Sequence, residues 1–302
     1  MSKWSLKRAG LIGSLALGLV VAGCGSDDSN GENGDGDSDS AEGGVDGEIE
    51  LAYVEWDTEV ASTNVVGKVL EDLGYDVTVT ALDNAFMWEA VANGEADGMV
   101  AAWLPGTHAE QYEAYGDQVE QLGPNLEGAA IGLVVPEYMD VDSIEDLTDE
   151  AGQTITGIEA GAGVVNAAEN AVEEYDNLED WDVQTSSSGA MATELGGAID
   201  SEDEIVVTGW SPHWKFQAYD LKYLEDPDGV FGEAETIETM VREGLEEDAP
   251  EAYQVLDNFY WETDDMEEVM LAINEGASPE DAAADWVEAN QDKVDEWTEG
   301  IE

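Results

Sequence analysis

The sequence has very little positive charge. Its 302 residues include 8 Lys and Arg against 73 Asp and Glu, a formal net charge of −65 at pH 7. A chain without a basic face cannot neutralise phosphates, which excludes a nucleic-acid partner. Disorder does not explain the acidity, because ten Trp, ten Tyr and clear apolar periodicity are typical of a folded chain. Salt at about 1 M screens charge repulsion to within about 3 Å, so the composition indicates a halophilic protein.

The residues that build disulfides, metal sites and nucleophilic centres are equally scarce. Cys24 is the single cysteine, which excludes an intrachain disulfide. His108 and His213 are the only histidines and form no zinc motif. The run Ser186-Ser187-Ser188 fits a helix cap, and neither histidine lies in a nucleophile-elbow context. The sequence therefore predicts neither an enzyme nor a metal or other cofactor.

The apolar stretch near the N-terminus is too short for a membrane-spanning helix. It covers Ala9–Ala22, follows three basic residues and ends in Val21-Ala22-Gly23-Cys24. That ending resembles a lipobox, in which cleavage leaves the cysteine N-terminal and lipid-modified. We therefore predict a signal peptide over residues 1–23 and lipidation of Cys24.

The segment 24–47 has almost nothing apolar and consists mainly of Gly, Ser, Asp, Asn and Glu. Such a composition predicts a disordered, self-repelling acidic tether. A domain carried on a lipidated tether belongs at the outer face of the cell membrane. The expected location is therefore extracellular and lipid-anchored.

Two later stretches repeat one pattern. Gly98–His108 reads GMVAAWLPGTH, and Glu204–Trp214 reads EIVVTGWSPHW. In each, an apolar run typical of a buried strand ends in Trp, and Pro and His follow. Strand, helix, strand and helix patterns precede both stretches in the same order, with Ser62 or Thr63 predicted to cap the first helix. The chain therefore contains two copies of one unit.

This duplication predicts an α/β protein of two lobes. Alternating strands and helices are typical of parallel sheets with right-handed crossovers. We interpret Ala129–Pro136 and Thr236–Arg242 as the two crossings between lobes. They divide the chain into one lobe of residues 48–130 plus 240–302 and another of residues 131–239. In open α/β sheets ligands bind outside the carboxyl ends of the strands, so we expect a ligand cleft between the lobes.

Three tryptophans, Trp56, Trp103 and Trp210, end predicted strands at that cleft. A quaternary ammonium donates no conventional hydrogen bond, so aromatic faces hold it well, at up to about 2 kcal/mol per contact. The pattern therefore predicts a three-Trp cage for such a cation. The other tryptophans beyond the signal peptide are predicted to pack in the core, with Trp214 ambiguous: Trp88, Trp181, Trp261, Trp286 and Trp297.

A glycine-rich turn in the second copy supplies a complementary feature. Gly157–Gly163 (GIEAGAG) joins a predicted strand to a helix, and backbone N–H groups at such a turn favour an anion. His108 could add a side-chain donor. Beside a cation cage, this turn indicates a zwitterion that carries a carboxylate.

Several segments resemble the OpuAC/ProX-type glycine betaine-binding proteins of ABC importers, from Glu48 to the C-terminus. They are YVEWDTEVASTNVVGKVLEDLGY, AAWLPGTH, IGLVVPEYM, TGIEAGAGV and TGWSPHW. The resemblance implies a type II periplasmic-binding-protein fold that closes on its ligand and works with ABC permease and ATPase subunits. It also implies a function in osmoprotection.

The resemblance also implies roles for particular residues. The family's three-Trp prism matches Trp56, Trp103 and Trp210, and its carboxylate contacts fall on the backbone of Gly157 and Ile158 and on His108. It assigns no binding role to His213. We place Glu159 outside the core site, since its charge would repel a carboxylate unless its side chain turns away.

Two alternatives remain open. The ligand could be another betaine, carnitine or choline, although choline lacks the carboxylate that the glycine-rich turn and His108 would bind. The chain could also be a chemoreceptor-type sensor, since ligand binding would look the same in a receptor and in a transport protein.

Overall fold

The apolar runs of the sequence become nine strands of one mixed sheet. The structure is a computed structural model that describes residues 47–301. Its strands are β1 Glu48–Tyr53, β2 Asp76–Ala81, β3 Gly98–Leu104, β4 Val119–Pro136, β5 Thr154–Thr156, β6 Asp182–Gln184, β7 Val206–Ser211, β8 Leu221–Tyr223 and β9 Glu235–Arg242. Their order is β2-β1-β3-β9-β4-β7-β5-β6, with β8 paired to β4.

Helices connect and cover the strands. They are α1 Asp57–Leu73, α2 Asn84–Ala92, α3 Ala109–Tyr115, α4 Gly163–Glu174, α5 Ser188–Ser201, α6 Lys215–Ala218, α7 Leu245–Asp248, α8 Pro250–Asn258, α9 Thr263–Asn274, α10 Pro279–Ala289 and α11 Gln291–Trp297. Short 3-10 turns lie at Gly116–Gln118, Ile144–Asp146, Glu150–Gly152 and Asp176–Leu178.

The predicted duplication is confirmed. In the first repeat (48–108) β1 pairs in parallel with β2 and β3, with α1 and α2 as crossovers. In the second repeat (154–214) β5 pairs in parallel with β6 and β7, with α4 and α5 as crossovers. Each repeat ends in a Trp-x-Pro in which the proline peptide bond is cis, at Pro105 and Pro212.

Two long strands join the repeats. β9 runs antiparallel between β3 and the first part of β4, while the last part of β4 runs antiparallel to β7 and β8. The predicted crossings Ala129–Pro136 and Thr236–Arg242 thus lie within these two strands. The division into lobes at residues 130 and 240 stays a prediction.

The first helix begins earlier than the sequence predicted. α1 starts at Asp57, directly after Trp56, and Ser62 and Thr63 are buried inside it. No side chain caps this end, so no capping residue marks it in the sequence. The early start places Asp57 and Glu59 in the first turn, at the carboxyl end of β1.

The C-terminal helices pack on the first repeat, where α9 and α10 contact α1. All of the tryptophans predicted to lie in the core are buried: Trp88, Trp181, Trp261, Trp286 and Trp297. None of the described helices is both long and apolar enough to cross a bilayer. The predicted signal peptide (1–23), the lipidation site Cys24 and all of the predicted tether except Gly47 lie outside the described residues.

Candidate functional site

The three tryptophans predicted from the sequence line one pocket. Trp56 lies between β1 and α1, Trp103 in β3 and Trp210 in β7, so both repeats contribute. Each is at least 95% buried. The remaining walls are Thr107, Ile131, Ile158 and Val164. An almost wholly apolar, aromatic pocket suits a group that makes no hydrogen bonds.

The indole N–H groups of two of these rings donate hydrogen bonds to carboxylates. The indole Nε1 of Trp103 donates to Oε1 of Glu59 at 2.6 Å. The indole Nε1 of Trp56 donates to Oε1 of Glu159, which lies in the second repeat. Glu159 therefore turns towards Trp56, and its place outside the carboxylate site stays a prediction.

The third ring has a different environment. Nε1 of Trp210 is buried without a hydrogen-bond partner among the described residues. The ammonium of Lys215 lies 4.2 Å from the centroid of the Trp210 ring, and the imidazole of His213 meets the ring edge-on at 4.6 Å between centroids. Burial lowers the pKa of Lys215 to about 7, although Asp57 opposes the shift.

His108 contacts two of the cage tryptophans. Its Nδ1 accepts a hydrogen bond from the backbone N–H of Trp103 at 3.0 Å, and its ring stacks on Trp56 at 5.6 Å between centroids. The side chain is fully buried, and burial lowers its pKa to about 3. The imidazole is therefore neutral with its proton on Nε2, which has no partner in the described structure. Its predicted role as a ligand contact stays a prediction.

The glycine-rich turn is arranged differently from the prediction. The backbone N–H of Gly157 donates to the carbonyl of Gln184 at 2.8 Å, so it is not free for a ligand. The predicted carboxylate contact at Gly157 therefore lacks its donor in this structure. Ile158 does line the pocket, and its backbone N–H has no acceptor among the described hydrogen bonds.

Further free N–H groups lie at the other end of the same turn. Gly163 and Val164 open α4, and neither backbone N–H has an acceptor among the described hydrogen bonds. Val164 lines the pocket. A Cβ on Gly163 would lie 2.3 Å from the carbonyl oxygen of Thr107, so only glycine lets α4 approach the loop after β3 this closely. Of the two predicted backbone donors, Ile158 is thus free and Gly157 is not, while Gly163 and Val164 were not predicted.

Sequence reasoning also missed a set of contacts at Asp57. Its carboxylate accepts hydrogen bonds from Trp214 Nε1 at 2.7 Å and from Ser188 Oγ at 2.8 Å, and His213 Nε2 lies at 3.5 Å. Burial raises the pKa of Asp57, but the opposing effects of His213, Trp214 and Ser188 hold it below its ordinary value. This carboxylate of the first repeat is thus bound by three side chains of the second.

Two further glutamates, Glu59 and Glu235, lie next to the pocket residues Trp103 and Thr107. Glu59 is fully buried, and burial raises its pKa to about 7 against the effect of hydrogen bonds from Thr58 and Trp103. Glu235 accepts the backbone N–H groups of Gly106 and Thr107 at 2.5 and 2.8 Å, which fixes the loop after β3. Residues 47–301 contain no group of three or more His, Cys, Asp or Glu placed to hold a metal ion.

Comparison with known proteins places this pocket in a family context. Residues 47–289 match the family described as the substrate binding domain of ABC-type glycine betaine transport system. The glycine betaine/carnitine transport binding protein GbuC of Listeria monocytogenes is 51% identical over 176 residues, which are 58% of this chain and 57% of that protein. The chain thus matches a little over half the length of this curated relative.

Two solved structures share the fold. Lactococcal OpuAC, in its closed conformation with glycine betaine, is 56% identical with a TM-score of 0.82 over 83% of this chain and 99% of its own. An ABC-transporter choline binding protein in complex with choline is 28% identical with a TM-score of 0.78, over 84% of this chain and 92% of its own.

Proposed function

Because the chain belongs to the family of substrate-binding domains of ABC-type glycine betaine transport systems, we propose that it binds glycine betaine outside the cell and delivers it to an ABC importer. The observation that carries the proposal is the meeting of Trp56, Trp103 and Trp210 around one pocket. Their rings would enclose the trimethylammonium group.

The aromatic walls account for part of the binding free energy. Each desolvated cation–π contact contributes up to about 2 kcal/mol, and micromolar binding needs about 8 kcal/mol. Association and ordering oppose binding, so three rings are not sufficient. The ligand therefore needs a second point of attachment.

The start of α4 would supply that attachment. The free N–H groups of Gly163 and Val164 lie at a helix N-terminus, where the helix dipole favours an anion. Val164 and Thr107 both line the pocket that the tryptophans form. A ligand with a carboxylate one carbon away from its ammonium group would meet both ends of this pocket. Ile158 and the proton on His108 Nε2 are the remaining contacts that we propose.

Ligand capture would involve closure of two lobes, residues 48–130 plus 240–302 and residues 131–239. Contacts that join the two repeats around the pocket support this proposal. They include the hydrogen bonds of Trp56 with Glu159 and of Asp57 with Ser188 and Trp214. Such contacts stabilise a closed form and are lost when the repeats separate.

The N-terminal pattern supports a lipid anchor at Cys24, with residues 24–47 as the tether. The protein would then remain at the outer face of the membrane, beside its permease and ATPase partners. The large excess of acid supports a habitat of high salt, where import of a neutral osmolyte has an osmoprotective role.

A calorimetric titration in molar salt tests the ligand. Glycine betaine should bind to the purified domain and change its Trp fluorescence, and choline should bind more weakly because it lacks the carboxylate. Heat from choline but none from glycine betaine would contradict the proposal. Carnitine is the second candidate, because the Listeria relative is named for both ligands, and the same titration series ranks it.

A further inference from the structure

A buried carboxylate without a cationic partner lies directly behind the cage. Glu59 is fully buried in the first turn of α1 and forms no ion pair with any Lys, Arg or His of residues 47–301. Its two oxygens accept hydrogen bonds from Trp103 Nε1 at 2.6 Å and from Thr58 Oγ1. A buried negative charge is unfavourable unless a positive charge compensates it. Burial accordingly raises the pKa of Glu59 to about 7, and a cation in the adjacent pocket would stabilise the ionised form.

The Trp103 ring connects this carboxylate to the pocket. Its N–H edge faces Glu59, and the ring itself forms part of the pocket wall. Donating a hydrogen bond to an anion polarises the indole towards greater electron density on its faces. The faces of an indole attract a cation through that density. Glu59 would therefore act on the ligand through the ring as well as through its own field.

The three rings differ in the charged groups that lie beside them. Trp56 also donates to a carboxylate, but Glu159 is only partly buried, so water screens its charge. Trp210 has no acceptor for its N–H and has the ammonium of Lys215 over its ring. Only Trp103 combines a fully buried carboxylate with a place in the pocket wall.

We propose that Glu59 is a positioning and specificity-determining residue, which fixes the Trp103 ring and makes the pocket select a positively charged headgroup over a neutral one of the same shape. The inference rests on the proposed function, because it assumes that the headgroup lies between the three rings. It goes further by assigning charge selectivity to a residue outside the pocket wall.

The test compares two ligands of equal shape. Glycine betaine carries a trimethylammonium group, and 3,3-dimethylbutanoate carries a tert-butyl group in its place. Glu59→Gln keeps an oxygen acceptor for Trp103 and presents its amide N–H to the Thr58 hydroxyl, while it removes the charge. We expect this variant to bind glycine betaine about tenfold more weakly and to bind 3,3-dimethylbutanoate with unchanged or higher affinity.

A matched control is Glu159→Gln, which removes a more exposed carboxylate from another cage indole. Because Glu159 also joins the two repeats, this variant should weaken binding of both ligands by a similar factor, and screening by water should limit any change in the preference between them to at most about twofold. If Glu59→Gln does not fold, Glu59→Met also removes the charge with a side chain of similar length, although it leaves Trp103 Nε1 and Thr58 Oγ1 without their acceptor. Glu59→Met should likewise lose affinity for glycine betaine but not for the carbon analogue.

The outcomes separate the two proposals. If the Glu59 variants lose the same factor of affinity for both ligands, Glu59 only stabilises the fold. That result would overturn the inference, while the proposed function would stand. Wild-type protein that binds neither glycine betaine nor any other quaternary ammonium would overturn both. In a double-mutant cycle, Trp103→Phe should remove most of the effect of Glu59→Gln on glycine betaine, because the ring then lacks its N–H.

Discussion

The indole Nε1 of Trp214 donates a 2.7 Å hydrogen bond to Oδ1 of Asp57 and so joins the end of one repeat to the beginning of the other. The second oxygen of the same carboxylate accepts from Ser188 Oγ at 2.8 Å. Trp56, one wall of the pocket, directly precedes Asp57, and Trp210, another wall, lies four positions before Trp214. The pocket and the contacts that join the repeats therefore form together.

Asp57→Asn should weaken ligand binding by about three- to tenfold, mainly through faster dissociation. Asparagine retains the shape but loses the negative charge that strengthens these hydrogen bonds. Stopped-flow Trp fluorescence measures the dissociation rate constant. Asp72→Asn is the control, since Asp72 is exposed and pairs only with Lys68 within its own helix. Equal dissociation rates for Asp57→Asn and wild type would contradict a role in closure.

Trp103→Ala should weaken binding of glycine betaine by at least about tenfold, because it removes a ring that contributes up to about 2 kcal/mol. Calorimetric titration gives the dissociation constants. Trp286→Phe serves as the comparison, because Trp286 is equally buried but stacks on Trp297 among the C-terminal helices. That variant should lose stability and keep its affinity. Similar affinity losses in both variants would place the ligand elsewhere.

Gly163→Ala should abolish tight binding. The added Cβ would lie 2.3 Å from the Thr107 carbonyl oxygen, so α4 must move away from the loop after β3, and overpacking of this kind costs about 1–3 kcal/mol.

The control for this substitution is Gly197→Ala, in the interior of α5, where the new methyl group meets no atom within 4 Å. It should raise the free energy of unfolding by about 0.5–1 kcal/mol without changing affinity. Urea unfolding and calorimetry distinguish the two variants. Normal binding by Gly163→Ala would exclude the start of α4 from the site.

Lys215→Met should stabilise the protein at neutral pH by about 1–3 kcal/mol, since the wild type buries an ammonium with no hydrogen-bond partner in the described structure. The pKa of Lys215 is lowered from 10.5 to about 7 by burial, with Asp57 opposing. Between those values the unfolded chain binds more protons than the folded one, so wild-type stability rises with pH from about 7 towards 10.5.

The stability of Lys215→Met should not show this rise with pH. Urea unfolding at pH 7 and at pH 9.5, in constant molar salt, measures the difference between the two proteins. An identical increase with pH in wild type and Lys215→Met would assign the effect to another group. Lower stability of the variant at pH 7 would show that the ammonium is compensated in the folded protein.

Much of the architecture could be read from local patterns. The repeated order of strands and helices depends on apolar periodicity, which neighbouring residues carry by themselves. Trp56, Trp103 and Trp210 were found because a strand end in a parallel sheet has a known place relative to the ligand cleft. The core tryptophans followed from their apolar neighbours, as Trp88 in α2 illustrates.

Other parts of the site depend on which atoms remain free after folding. Gly157 and Gly163 look equally suitable in the sequence, but the pairing of β5 with β6 occupies the N–H of Gly157 and leaves that of Gly163 without a partner. His108 was predicted from the sequence as a ligand contact, but only the fold shows that its Nδ1 is occupied by the N–H of Trp103 and that its Nε2 remains without a partner in the described structure. A hydrogen-bond donor binds a ligand only if the fold has not already used it.

The duplicated unit and its three aromatic strand ends are therefore properties of the sequence, because periodicity and residue type act over a few positions. The hydrogen bonds of Glu59 with Trp103, and of Asp57 with Ser188 and Trp214, are properties of the folded chain. They join residues 44, 131 and 157 positions apart, and no local pattern carries that information. Charge and hydrogen bonding across the pocket depend on distances in space, which the folding of the two repeats onto one sheet establishes.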